Sequence, residues 1–148
     1  MFHSIGRKTF VPRALLLEMS LILSVSFADQ KVDIQTFRET KACRPCSLAG
    51  ADLRGIDLTR AQLEFMSLRN ANLSGATLPN ADLRNANLVG ANLTGAKLSG
   101  ARLDGANLRG ANLTGASLIG ADMQGASLKN ANLTGVKMFK AQLTNASP

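Results

Sequence analysis

The stretch Ala91-Asn92-Leu93-Thr94-Gly95 is one copy of a five-residue unit that repeats from position 46 to position 145. With the leucine taken as the centre, the twenty units have eighteen leucines and two methionines at their centres, spaced five residues apart. Alanine stands two residues before the centre in sixteen units, and glycine or asparagine stands two residues after it in seventeen. A period of five fits neither an α-helix nor a continuous β-strand, so it predicts one short extended piece and one turn in every unit.

The column of glycine and asparagine indicates how the chain turns. A type II turn requires a positive φ at its third residue, which glycine adopts freely and asparagine tolerates. Leucine and alanine, two residues apart on an extended piece, point to the same side, and burying that side avoids a long exposed apolar wall. The repeat therefore predicts a solenoid with an interior column of leucines and with alanines in its corners.

This pattern, A(D/N)LxG, resembles the pentapeptide-repeat family over residues 46–145. The resemblance implies an all-β solenoid, a right-handed quadrilateral β-helix with four units per coil and therefore about five coils for the twenty units. At the spacing of paired strands such a rod would be about 24 Å long. Residues 146–148 follow the repeat as a C-terminal tail.

Residues 1–28 have the features of a cleaved signal peptide. Basic residues (Arg7, Lys8 and Arg13) precede a mostly apolar run, and Ser26-Phe27-Ala28 has the small-x-small pattern of a cleavage site. The run is too short for a stable membrane span, and Glu18 interrupts it, so an uncleaved N-terminal anchor stays an alternative. Cleavage would leave 14 basic and nine acidic groups, a net charge of +5. The expected location is the periplasm, the thylakoid lumen or the extracellular medium.

Residues 29–45 predict a short N-terminal capping helix. Asp33 is suited to the N-cap position, and Phe37 lies where a hydrophobic staple would place an apolar residue. Ile34 and Phe37 would then cover the leucines of the first coil, and Pro45 would end the helix.

Cys43 and Cys46 are the two cysteines of the chain. In an exported protein an even number of cysteines predicts a disulfide, here one joining the cap to the first coil. Free thiols and a thiol redox pair are the alternatives. Ser47 stands where haem attachment needs a histidine, and the one histidine, His3, lies in the signal peptide. We therefore predict no metal and no cofactor.

With four units per coil, residues twenty apart stack and form four outer faces, numbered here by their first centres: face 1 (Leu48), face 2 (Leu53), face 3 (Leu58) and face 4 (Leu63). Face 2 carries a column of asparagines beside serine and threonine. We interpret this column as amide ladders or, alternatively, as an ice- or glycan-facing array.

Face 4 alternates in charge along the rod. It is expected to be solvated, with each charge paired by opposite charges on the same face. Face 1 is basic, and face 3 combines lysines with two large apolar side chains expected to be the only ones that point outward. The partner-contact candidates on these two faces are Arg69, Arg109, Lys129, Lys97, Lys137, Ile119 and Phe139.

The residue inventory argues against an enzyme. The mature chain has no histidine and no cluster of a nucleophile with a base, so the favoured function is an exported, non-catalytic structural or protein-interaction scaffold with an unknown protein partner. Some members of the family resemble duplex DNA and protect topoisomerases, but that role needs a negative charge and a cytoplasmic location. Nucleic-acid binding is disfavoured by the lack of stacking aromatics. A thiol redox protein acting through Cys43 and Cys46 is the remaining alternative.

The last coil predicts weak self-association. Its lower edge would be open, and an open edge invites pairing with another edge. The sequence therefore predicts a weak end-to-end homodimer through the C-terminal coil, strengthened by salt because salt screens the lysines there. The alternative is that Phe139 folds over the last coil as a cap.

Overall fold

The computed structural model describes residues 47–147, and a single parallel ladder organises all of them. Each bridge joins residues twenty apart, from Ser47 with Ser67 at one end to Ser127 with Ser147 at the other. The extended pieces are isolated bridged residues, and the described chain contains neither a helix nor a longer strand. One turn of the solenoid therefore takes four pentapeptide units. The successive turns are coil 1 (47–66), coil 2 (67–86), coil 3 (87–106), coil 4 (107–126) and coil 5 (127–146).

The hydrogen bonds between coils follow one scheme on every face. In coil 3, the N–H of Leu93 donates to the carbonyl of Asn112 at 2.7 Å, and the N–H of Gly95 donates to the carbonyl of Thr114 at 2.9 Å. The N–H of Asn112 donates in return to the carbonyl of Ala91 at 2.9 Å. On each face, two N–H groups of one coil therefore donate to carbonyls of the following coil, and one N–H group of the following coil donates back.

The corners have the conformation that the sequence predicts. Every residue in the glycine and asparagine column has a positive φ, between 54° and 69°. The N–H of Ala96 closes one such turn by donating to the carbonyl of Leu93 at 3.0 Å, and the other corners are closed in the same way. The type II turn is therefore confirmed, and Arg60, Phe65 and Lys140 adopt it despite their Cβ atoms.

The interior is a continuous apolar column, as predicted. The central residues of coils 1 to 4 are at most 1 % exposed, and the alanines beside them in coils 2 to 4 are fully buried. Burial weakens in coil 5, where Leu133 and Met138 are partly buried and Leu143 is 40 % exposed. Among the described residues, the centres of coils 1 to 4 are therefore buried and those of coil 5 are less so, with Leu128 at 8 % exposed.

Several predicted features lie outside the described residues. They are the signal peptide, the capping helix of residues 29–45 and the pair Cys43 and Cys46, and they stay predictions. No segment between residues 47 and 147 forms a helix of the length and hydrophobicity that a membrane span requires.

Candidate interaction surfaces

An apolar recess of about 330 Å³ opens at the C-terminal end of the described rod. It is formed because the centres of coil 5 have no following coil to pack against within residues 47–147. The recess is lined by Leu128, Asn130, Ala131, Leu133, Leu143 and Ala146. Exposed apolar surface in such a concave place is typical of a binding site rather than of solvated surface.

Phe139 and Ile119 lie beside this end and face outward. The N–H of Gly120 donates to the carbonyl of Phe139, which places Phe139 directly after Ile119 in one column of face 3. Phe139 is 69 % exposed and Ile119 is 41 % exposed, so Phe139 does not fold over the last coil and that alternative is wrong. The Nζ atom of Lys140 lies 5.4 Å from the centroid of the Phe139 ring, a cation–π contact.

Sequence reasoning missed one outward aromatic side chain. Phe65 is 71 % exposed, so Ile119 and Phe139 are not the only large apolar residues that point outward. The sequence contained enough information to predict this exposure. Phe65 stands in the glycine and asparagine column, where φ is positive and the side chain points away from the rod.

The predicted basic column of face 1 exists. The carbonyls of Arg69 and Arg109 accept hydrogen bonds from Gly50 and Gly90, and that of Lys129 accepts one from Gly110. These hydrogen bonds place the three side chains in one exposed column, interrupted by Val89 in coil 3. None of the three forms an ion pair within the described residues, so the column presents uncompensated positive charge.

Face 3 contributes two further exposed lysines. Ser117 bridges both Lys97 and Lys137, so these two lysines share one column but lie two coils apart. Lys137 is near the open end and close in sequence to Phe139, whereas Lys97 belongs to the middle of the rod. The structure therefore brings only part of the predicted candidate set together, namely Lys137, Phe139 and Ile119 on face 3, whereas Lys129 lies on the opposite face 1.

Face 4 is less solvated than predicted. Arg84 donates to both carboxylate oxygens of Asp82, and its Nη2 atom lies 3.4 Å from Oε2 of Glu64 in the preceding coil. Asp82 is 6 % exposed, and Oδ2 of Asp104 is buried without a hydrogen-bond partner. The predicted pairing of opposite charges along this face is therefore confirmed, but the face is less solvated than predicted at Asp82, because the stacked arginine side chains cover its carboxylate.

The hydrogen bond from Arg84 lowers the pKa of Asp82, and burial opposes that shift only in part. A carboxylate held by a guanidinium at two oxygens stays ionised when other carboxyls protonate. This pair therefore fixes the charge and the side-chain geometry on face 4.

Face 2 differs from the predicted amide ladder. Oδ1 of Asn92 accepts hydrogen bonds from the hydroxyl of Thr94 at 2.7 Å and from the N–H of Thr94 at 3.1 Å. The units around Asn112 and Asn132 repeat this arrangement. Within residues 47–147 no asparagine on this face bonds the asparagine of the next coil, because the nearer N–H two residues ahead takes the acceptor.

A family model described as pentapeptide repeats matches residues 46–85, 67–105 and 111–147, in eight copies. The chain belongs to the pentapeptide-repeat family. The 20-residue, four-sided coil agrees with the quadrilateral β-helix of this family.

Solved pentapeptide-repeat structures resemble the chain. HetL from the cyanobacterium Nostoc sp. strain PCC 7120, involved in heterocyst differentiation regulation, is 39 % identical over 68 % of this chain, with a TM-score of 0.53. The match covers 50 % of HetL, so the chain spans about half the length of that protein. Rfr23 from the cyanobacterium Cyanothece 51142 is 38 % identical over 66 % of this chain and 67 % of its own, with a TM-score of 0.38. A pentapeptide-repeat protein of the Arabidopsis thaliana thylakoid lumen is 33 % identical over 69 % of this chain and 68 % of its own, with a TM-score of 0.35. No protein of curated function matches the sequence.

Proposed function

We propose that this pentapeptide-repeat protein is an exported, non-catalytic scaffold that binds another protein through the exposed side chains of Ile119 and Phe139 on face 3. The observation that carries the proposal is the exposed apolar column of Ile119 and Phe139 on face 3, which are 41 % and 69 % exposed. The interior of coils 2 to 4 is filled with leucine, alanine and one methionine, which leaves no room there for a substrate. The finer architecture we propose is right-handed, with five coils, a capping helix over residues 29–45 and a disulfide between Cys43 and Cys46.

Export is proposed from the sequence of residues 1–28. The basic start, the apolar run and the small-x-small site before Asp29 support it. One relative comes from a thylakoid lumen, so the fold is found in an exported location in at least one other protein. The same proposal places this chain in the periplasm, a thylakoid lumen or the medium.

The alternative roles receive less support. A DNA mimic needs a negative surface, whereas residues 47–147 carry ten basic and six acidic side chains. Binding to nucleic acid by the basic column of face 1 would suit the charge. However, Phe139 lies on the opposite face 3 and Phe65 at the corner that precedes face 1, so neither exposed phenylalanine belongs to that column. A thiol redox role would rest on Cys43 and Cys46 alone.

Affinity capture from the exporting compartment tests the proposal. Wild-type protein should retain a defined partner, and the double variant Ile119→Asp/Phe139→Asp should lose most of it because two charges replace the apolar column of face 3. The matched control is Thr77→Asp/Thr94→Asp, which adds the same charge on the middle of the rod. Equal capture by all three proteins, or a turnover activity abolished by a single polar substitution, would contradict the proposal.

A further inference from the structure

Face 2 carries neither a charge nor a large apolar side chain in coils 2 to 5. Its outward side chains there are Asn72, Ser74, Asn92, Thr94, Asn112, Thr114, Asn132 and Thr134. The ladder places the asparagines in one column, one in each coil, at intervals of about 4.8 Å. The result is a regular, uncharged polar surface along the side of the rod.

Local hydrogen bonds fix the direction of each amide in this column. Oδ1 of Asn92 accepts hydrogen bonds from the backbone N–H and from the hydroxyl of Thr94. Because a backbone N–H can only donate, the amide oxygen and not the amide nitrogen must face it. Nδ2 of Asn92 makes no hydrogen bond within residues 47–147, and the asparagines of the other three coils are held in the same direction. Face 2 therefore presents a column of free amide N–H donors.

Exposed cations stand on both sides of face 2. The five cations are Arg69, Arg109 and Lys129 on face 1, and Lys97 and Lys137 on face 3. All five are exposed, and none forms an ion pair within the part of the chain that the structure describes. Arg109 stands three residues before Asn112, and Lys97 stands three residues after Thr94. A single corner of the rod therefore separates each column of cations from face 2.

The carboxylates lie on the other side of the rod. In coils 2 to 5 they are Asp82, Asp104 and Asp122, and all three belong to face 4. Face 4 is opposite face 2 in the four-sided coil, and there Arg84 and Arg102 approach Asp82 and Asp104. In coils 2 to 5 the cations around face 2 thus have no carboxylate beside them, and this side of the rod attracts anions.

The composition of face 2 favours a glycan over other polyanions. The centre of a protein interface is formed by aromatic and apolar anchors, and single-stranded nucleic acid stacks its bases on aromatic side chains. A membrane surface takes up apolar side chains. In coils 2 to 5, face 2 offers none of these groups. Sugar hydroxyls, by contrast, pair with amide N–H and threonine hydroxyl groups and need no apolar anchor.

We propose that face 2 and the cations on its two sides bind an acidic polysaccharide, a glycan chain whose sugars carry carboxylates. The sugar hydroxyls would accept hydrogen bonds from the Nδ2 groups of Asn92 and Asn112. The carboxylates would pair with Arg109 on one side and with Lys97 on the other. This site is separate from the protein-binding surface proposed above, which consists of Ile119 and Phe139.

Fluorescence anisotropy with labelled probes tests the inference on the full chain. Oligogalacturonate carries both carboxylates and sugar hydroxyls, and its methyl ester keeps the hydroxyls but loses the charge. A glutamate peptide and a single-stranded DNA with the same number of negative charges lack the ring of sugar hydroxyls. Oligogalacturonate should bind about tenfold more tightly than each of the other three, because it alone satisfies both the cations and the amides. Equal or tighter binding of the ester, the peptide or the DNA would overturn the inference.

Asn92→Asp tests the amide column directly. Its carboxylate can still accept both hydrogen bonds from Thr94, but the variant loses the N–H donors and repels the glycan, so the affinity should fall about tenfold. Gln124→Glu is the matched control, because it makes the same change from amide to carboxylate on face 4. Its affinity should stay close to that of wild type. Equal losses in the two variants would place the glycan elsewhere and overturn the inference.

Arg109→Gln and Lys97→Gln test the two sides of the site. Each should weaken oligogalacturonate binding about fivefold and make the affinity less sensitive to salt, because one screened ion pair is lost. Lys140→Gln removes the same charge at the corner between face 3 and face 4, away from face 2, and should have a smaller effect. A loss for Lys140→Gln as large as the other two would mean that the glycan responds to net charge alone, which would overturn the proposed site.

Discussion

Arg84 donates to both carboxylate oxygens of Asp82, two residues earlier on the same face of the rod. The side chains are 29 % and 8 % exposed, so this pair is shielded more than an ordinary surface ion pair. The arrangement is possible because residues two apart on an extended piece point to the same side. Arg102 in the next coil comes within 3.9 Å of the same carboxylate and extends the network along the rod.

The Asp82–Arg84 pair predicts an acid-dependent loss of stability. Folding lowers the pKa of Asp82 through its hydrogen bonds with Arg84, so the stabilisation is complete above the unfolded pKa of about 3.9 and is lost as the pH falls below it. Melting curves of wild type and Asp82→Asn should therefore differ at pH 7 and converge towards pH 2. Asp122→Asn, in the same column without an ion pair in the described rod, is the control and should change the melting temperature at pH 7 less than Asp82→Asn does. A difference for Asp82→Asn that does not change with pH would contradict this origin.

Leu93→Ala should destabilise the protein by about 2–5 kcal/mol, because a square interior held by ladders on four faces cannot collapse into the cavity. Chemical denaturation measures the change in the free energy of unfolding. Leu133→Ala should cost less, since Leu133 in coil 5 is only partly buried. The surface control Lys97→Ala should have little effect, and a similar effect for Leu93→Ala would refute the inward leucine column.

Gly90→Ala and Gly95→Ala form a matched pair with different expected costs. Both positions have a positive φ, 68° and 65°, so each substitution should cost about 1–2 kcal/mol from backbone strain. A Cβ atom at Gly90 would also meet Oδ1 of Asn70, whereas nothing lies within 4 Å of one at Gly95. Gly90→Ala should therefore melt lower, and Asn70→Gly should remove the difference. Equal melting temperatures in the single variants would mean that the Asn70 side chain moves away without cost.

The weak homodimer predicted from the sequence should strengthen with salt, because salt screens the repulsion between Lys129, Lys137 and Lys140 of two copies. Analytical ultracentrifugation at low and at high ionic strength, at high protein concentration, measures this association. A monomer under both conditions would contradict the prediction.

Export should produce a chain that begins at Asp29 with Cys43 and Cys46 joined. Intact mass spectrometry of protein recovered from the exporting compartment measures both features. A mass that includes residues 1–28 would remove the signal peptide, and two thiols that react with an alkylating agent under native conditions would remove the disulfide.

The repeat by itself determined the fold and its core. A period of five with leucine at the centre and glycine or asparagine two residues later leaves few backbone solutions, and the positive φ at every corner follows from that column. The inward position of Leu93 and the stacking of Arg69 with Arg109 on one face could be deduced, because both depend on local alternation and on a fixed number of residues per coil.

Only the tertiary structure decided how neighbouring coils share their polar groups. Whether Asn92 bonds within its own unit or across coils depends on distances that the pattern does not contain, and the local N–H of Thr94 proved the nearer donor. The burial of Asp82 likewise depends on how Arg84 and Arg102 lie over it. The scheme in which each face gives two N–H groups to the following coil and receives one is likewise set by the register between coils and not by the side chains.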